Sequence, residues 1–174
     1  MSNLDPGRFV PQTVYAIYIA AAPEQVWQAL TSAEFSRQYF FGLAVEFEPR
    51  VGGRFVVRMP DGAVHIEGEV FAWDPPRKLS MTFNVAWDGL VDALGETLVT
   101  YEIEPAGEAV KLTLTEANER PHSEDILSGG REGWPAILSG LKSLLETGRA
   151  PAIAMQPPLR MLAALKAMGV KVPM

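Results

Sequence analysis

Apart from a short stretch between Pro23 and Phe40, apolar positions up to Ala117 recur mostly every second residue; after Ser128 they recur every third or fourth. The first period is that of half-buried strands and the second that of amphipathic helices. Val14-Tyr15-Ala16-Ile17-Tyr18-Ile19 is β-branched and aromatic, and its boundary at Ala22-Pro23 predicts a strand leading into a helix with proline in its first turn. Val26, Trp27 and Leu30 share one face of that helix. Ser32 is placed to cap a second short helix, with Phe35, Tyr39 and Phe40 at i, i+4 and i+5. Turn-forming groups at Gly52-Gly53, Pro60-Asp61-Gly62, Asp74-Pro75-Pro76 and Pro105-Ala106-Gly107 then divide Ala44 to Ala117 into an antiparallel run of six strands.

Each predicted strand has one apolar face. Phe55, Val57 and Met59 share a side, as do Val64, Ile66 and Val70; Leu79, Met81, Phe83, Val85 and Trp87; Val99, Tyr101 and Ile103; and Leu112 and Leu114. One more step of the last alternation puts Glu116 on the apolar side, the least comfortable place for a carboxylate in the pattern. Ser128-Gly129-Gly130-Arg131-Glu132-Gly133-Trp134 opens the longest helical segment, with Trp134, Ile137, Leu138, Leu141, Leu144 and Leu145 on one face and Gly148 at its end. Strand, two short helices, six strands and a long helix make an α+β plan with the helices gathered on one face of the sheet.

A chain of 174 residues fits one domain with a substantial core. It has no cysteine, which excludes disulfides, thiolate nucleophiles and cysteine-ligated metal centres. The net charge of −6 argues against a nucleic-acid-binding surface. That total hides an asymmetry: residues 1–148 carry net −10, whereas 149–174 carry Arg149, Arg160, Lys166, Lys171 and no acid. Within this basic tail Leu159, Met161, Leu162, Leu165 and Met168 form an apolar helical stripe, preceded by Pro157-Pro158 and stopped by Gly169. The segment 157–169 is expected to fold back onto its own acidic body, or to join a second copy in a homodimer. A membrane is the less favoured partner, because the segment is short and has no aromatic anchor. The run Val14–Ala22 ends like a signal-peptide cleavage site, but only Arg8 precedes it, offset by Asp5, and no run approaches the ~20 apolar residues of a membrane span. A cytoplasmic location is expected.

Recognisable catalytic motifs are absent: there is no Gly-x-Ser-x-Gly elbow, phosphate loop or dinucleotide fingerprint. His65-Ile66-Glu67 matches the start of a zinc-deaminase signature whose cysteine ligands this chain lacks, and His65 and His122 are not spaced as a ligand pair, so no metal is expected. The glycines of Gly129–Gly133 either offer backbone amides to an anion at a helix start or only turn the chain from the last strand into the helix. Glu116 is the candidate chemical group. At a cavity mouth, desolvation would raise its pKa and suit it to general acid or base work or to holding a ligand hydroxyl; a salt bridge to Arg120 or Arg131 is its structural alternative. Tyr101, on the same apolar side one strand away, is either the hydrogen-bonding partner of a buried ligand or a plain core tyrosine.

Ala22-Pro23-x-x-Val26-Trp27-x-Ala29-Leu30, Gly52-Gly53-x-Phe55, Gly68-x-Val70 followed by Asp74-Pro75-Pro76-Arg77-x-Leu79, Leu112-Thr113-Leu114-Thr115, and Gly133-Trp134-x-x-Ile137-Leu138-x-x-Leu141-x-x-Leu144-Leu145 occur in a characteristic order. Together, from Thr13 to Arg149, they resemble the family homologous to the activator of the ninety-kilodalton heat-shock protein ATPase, within the START-like, birch-pollen-allergen-like (SRPBCC) superfamily. The resemblance implies a helix-grip fold, in which a curved antiparallel sheet wraps a long C-terminal helix and often leaves an apolar cavity. It divides the chain into an N-terminal extension (1–12), a helix-grip domain (13–149) and a basic tail with a short amphipathic helix (150–174). Phe55, Met59, Met81, Phe83, Trp87, Tyr101, Trp134 and Leu138, with Glu116, would then line the cavity or simply fill the core. Three functions are compatible with this. The first is a cofactor-free binding or accessory module that holds a small apolar molecule in sensing or stress response. The second is a cyclase, dehydratase or hydrolase with Glu116 as acid/base and Tyr101 as orienting group. The third, a chaperone-associated role, is implied by the family's name alone.

Overall fold

The computed structural model describes residues 4–173; residues 1–3 of the expected extension and Met174 of the expected tail lie outside the described residues. In chain order these form β1 (Val10–Ile19), α1 (Pro23–Thr31), α2 (Ala33–Tyr39), β2 (Ala44–Phe47), β3 (Arg54–Arg58), β4 (Val64–Asp74), β5 (Lys78–Thr82), β6 (Asn84–Val85), α3 (Leu90–Leu94), β7 (Thr97–Ala106), β8 (Ala109–Asn118), α4 (Glu124–Thr147) and α5 (Leu159–Ala167). The strands make one antiparallel sheet in the order β1-β8-β7-β5-β4-β3-β2, with β6 pairing beside β4. The α+β helix-grip plan is the architecture formed.

Register breaks at Pro11/Thr13, Val57/Arg58 and Val70/Ala72 mark bulges, which bend strands and curve the sheet. The concave face carries the alternation read from the sequence: Val57, Leu79, Met81, Val99, Tyr101, Ile103, Leu112 and Leu114 are buried with Trp134, Ile137, Leu138, Leu141 and Leu144 of α4 in one core. The opposite face is not all solvent. Leu98 and Ala117 face each other across β7 and β8 and are covered by Phe9, whose ring meets Phe71 edge-on at 5.8 Å. Ser80 is buried on that side as well, its hydroxyl donating to the Val99 carbonyl at 3.2 Å and sharing a 2.8 Å hydrogen bond with Thr100 Oγ1.

Four details depart from the pattern. The run from Ala44 to Ala117 holds seven strands rather than six, with the short β6 and helix α3 inserted before β7. The long helix begins at Glu124, where the Ser123 side chain caps it by accepting the Ile126 N–H at 3.4 Å, and not at Ser128. Gly129, Gly130, Gly133 and Pro135 therefore lie inside a helix that local propensity would break. Their glycines neither turn the chain nor present free amides to an anion. Ser32 does precede α2, but its side chain makes no capping bond.

The tail packs on the body. Leu165 of α5 is 2% exposed and Met161 lies against Gly129 of α4, while Arg160 stands 3.8 Å from Glu132. Beyond α5, the Lys171 N–H donates to the Asp88 carbonyl at 3.0 Å and Val170 is buried. Leu159 and Met168, placed on the apolar stripe by spacing, are exposed, so the docked face is narrower than the stripe.

Candidate functional site

Side chains fill the space between the sheet and α4 around Leu141 and Leu144; at Gly140 the helix comes close to α2, a Cβ there standing 3.2 Å from the Tyr39 carbonyl oxygen. Towards the N-terminal half of α4 the filling stops, leaving a cavity of about 960 Å³. Its walls come from the end of α2, from β6 and α3, from the end of β8 and from α4. The chain from Pro151 to Pro158, with Met161 and Leu165 of α5, supplies a further wall.

Five of the nine residues named from the sequence stand on this wall: Met59, Phe83, Trp87, Glu116 and Trp134. Met59 is at the exposed rim. Phe55, Met81, Tyr101 and Leu138 are buried in the packed core, and Leu138 also edges a shallow groove beside Tyr15 and Lys142. Alternation assigns a face but not the depth of a residue beneath the helix, so it cannot separate wall from core. Phe40, His65, Asn118, His122 and the tail segment complete the cavity without having been named as its wall. The tail's apolar stripe was the one available signal for them.

Glu116 lies on the apolar side of β8, opposite Val99 of β7 and Thr13 of β1. Its Oε2 accepts the Trp134 Nε1–H at 2.8 Å. A Cβ on Gly130 would approach its Oε1 to 2.7 Å, so the glycine makes room for the carboxylate under the helix. Neither expected salt bridge forms: Arg131 pairs with Glu124, and Arg120 donates to the Ala93 carbonyl. Burial raises the Glu116 pKa, against smaller opposing effects from the Trp134 hydrogen bond and the Arg131 charge. Tyr15, whose hydroxyl donates to the Gly130 carbonyl at 3.4 Å, is raised by burial and then by Glu116. Tyr101 meets Trp134 edge-on at 6.4 Å, and burial pushes its phenol far above the usual range.

At the same end, Asn118 donates through Nδ2 to Thr97 Oγ1 at 2.8 Å, while its Oδ1 and the Nε2 of His122 are buried without partners. Burial lowers the pKa of both His65 and His122, the latter helped by Arg120, so both imidazoles are neutral at pH 7. Among the described residues no group of three His, Asp or Glu side chains could hold a metal ion, and no helix is long and apolar enough to cross a membrane.

Comparisons with known proteins bear on the whole body of the molecule. The model of the family described as Activator of Hsp90 ATPase homolog 1-like protein matches residues 20–146. Among solved structures, protein MLL2253 from Mesorhizobium loti is 28% identical, with a TM-score of 0.63 over 76% of this chain and 96% of that one. The Aha1 dimer from Colwellia psychrerythraea (19% identity, TM-score 0.66, 81% and 99% covered) and CalU16 from Micromonospora echinospora (19%, 0.63, 92% and 91%) share the fold. None of the curated proteins matches the chain.

Proposed function

This chain belongs to the family of activator of Hsp90 ATPase homolog 1-like proteins, and from that premise we propose that it is a cytoplasmic binding or accessory domain that holds a small, mainly apolar molecule. The observation that carries the proposal is the cavity itself. Its volume falls within the roughly 300–1,000 Å³ of small-molecule sites, and its lining is aromatic and aliphatic with few polar groups, the composition such sites use. The enzymatic reading with Tyr101 as orienting group has less support, because Tyr101 lies in the core rather than on the wall.

The test is titration with the neutral fluorophore N-phenyl-1-naphthylamine, which should bind saturably at one site. Gly133 lines the cavity and has open space where its Cβ would stand, so Gly133→Trp should take up part of the cavity and weaken binding with the melting temperature preserved. Undiminished binding in that variant would place the probe elsewhere and count against the proposal. Native mass spectrometry of protein purified from its own host would reveal a co-purifying ligand.

A homodimer is a second reading, supported by the dimeric Colwellia relative and by Val14 and Tyr18, which are 61% and 56% exposed on edge strand β1. Light scattering at increasing concentration should then show a dimer that Tyr18→Lys dissociates. Regulation of a chaperone ATPase rests on the family description alone, and a pull-down from host lysate lacking the chaperone would dispose of it.

A further inference from the structure

The polar content of the cavity is lopsided. Of the described residues on its wall, Glu116 is the one carboxylate, and the one guanidinium, Arg37, is exposed at the rim on α2. Among the described residues no lysine or arginine forms an ion pair with Glu116. Arg131, the nearest cation to influence it, is engaged by Glu124 and reaches Thr13 Oγ1 at 3.4 Å. A half-buried carboxylate whose neighbouring cation is held by another acid is favoured by positive charge in the space beside it.

The wall beside Glu116 is aromatic. Phe40, Phe83 and Trp134 all line the cavity, with centroids 6.3 Å apart for Phe40 and Trp134, 6.3 Å for Phe40 and Phe83, and 5.3 Å for Phe83 and Trp134. We propose that the cavity takes an organic amine, its ammonium group against Glu116 and its apolar body along the rings of Phe40, Phe83 and Trp134. This rests on the binding reading above and narrows the ligand class. An anionic ligand would meet Glu116 with no other cation than the exposed Arg37 on the wall to offset it; a neutral alcohol could hydrogen-bond Glu116 but would bring it no charge.

Calorimetric titration at pH 7 with 2-phenylethylamine, 2-phenylethanol and 3-phenylpropionate separates the three classes. The amine should bind about tenfold tighter than the alcohol, with the carboxylate weakest, a ratio near the low end for a hydrogen bond to a charged group. In Glu116→Gln the amine's advantage should vanish while alcohol binding persists. Should that variant not fold, the parent protein supplies the same test: the amine's affinity should weaken as pH falls into the range where Glu116 takes up a proton, while the alcohol's should not. The other titratable and charged groups facing this site are Tyr15 on β1, Arg37 at the rim on α2, Arg131 on α4, and His65 and His122, whose pKa values burial lowers. An alcohol that binds as tightly as the amine, or an amine preference that survives Glu116→Gln, overturns the proposal. Binding of N-phenyl-1-naphthylamine without any amine binding overturns the amine class alone; failure of every probe overturns the cavity reading with it.

Discussion

Glu116 is the residue at which the pattern's oddity becomes chemistry. Because burial raises its folded pKa above the ordinary carboxylate value of 4.5, the folded chain holds this proton more tightly than the unfolded one. Its contribution to stability is therefore lost as pH rises from that value through the raised pKa. Glutamine in its place has no charge to desolvate and keeps a carbonyl for the Trp134 N–H. Glu116→Gln is thus expected to melt higher than the parent at pH 7, with the difference closing towards pH 4. Thermal unfolding across that range measures it, and a variant less stable than the parent at pH 7 would show that the ionised carboxylate is held by interactions beyond Trp134. Sequence spacing placed this side chain on the apolar face correctly. It could not say that neither Arg120 nor Arg131 would reach it, because Arg131 finds Glu124 about two helical turns back along α4.

At the scale of the element, α4 shows why composition misplaces a helix start. Gly129, Gly130 and Gly133 each cost helix stability relative to alanine, yet two of them stand where a side chain would collide, Gly129 with Met161 and Gly130 with Glu116. Gly133 has nothing within 4 Å of its would-be Cβ. The two positions should therefore respond differently to the same change. Gly133→Ala is expected to stabilise by about 0.5–1 kcal/mol through helix propensity alone. Gly130→Ala should gain nothing or lose about 1 kcal/mol, since Glu116 can yield only by giving up its bond to Trp134. Denaturant unfolding of the pair measures the contrast, and equal gains would mean that Glu116 moves aside freely.

The whole molecule is tied together by its tail. Leu165 and Val170 are buried, Pro151–Pro158 lines the cavity, and the last strap residues reach the loop at Asp88. Charge contrast between a net −10 body and a +4 tail suggested docking, but the Arg160–Glu132 pair is half-exposed and such pairs contribute little, about 0–1 kcal/mol. Burial of apolar side chains does more of the holding. Leu165→Asp is accordingly expected to release the segment, seen as faster proteolysis between Arg149 and Pro158 and faster exchange of bound fluorophore, whereas Arg160→Ala should leave both nearly unchanged. The reverse order of effects would make the docking electrostatic.

What the chain determines by itself is periodic and local: the α+β order of elements, the apolar face of each strand, the long helix that grips the sheet, and the placement of Glu116 among apolar neighbours. These follow from side-chain direction, which repeats with the backbone and needs no partner to be read. What only the tertiary structure decides is how closely surfaces approach. Phe55, Met81, Tyr101 and Leu138 share faces with Met59, Phe83, Trp87 and Trp134, yet the first four are packed solid and the second four border open space. The difference lies in how closely α4 lies on the sheet along its length and where the tail comes to rest, distances set between segments far apart in the chain, which no local period encodes.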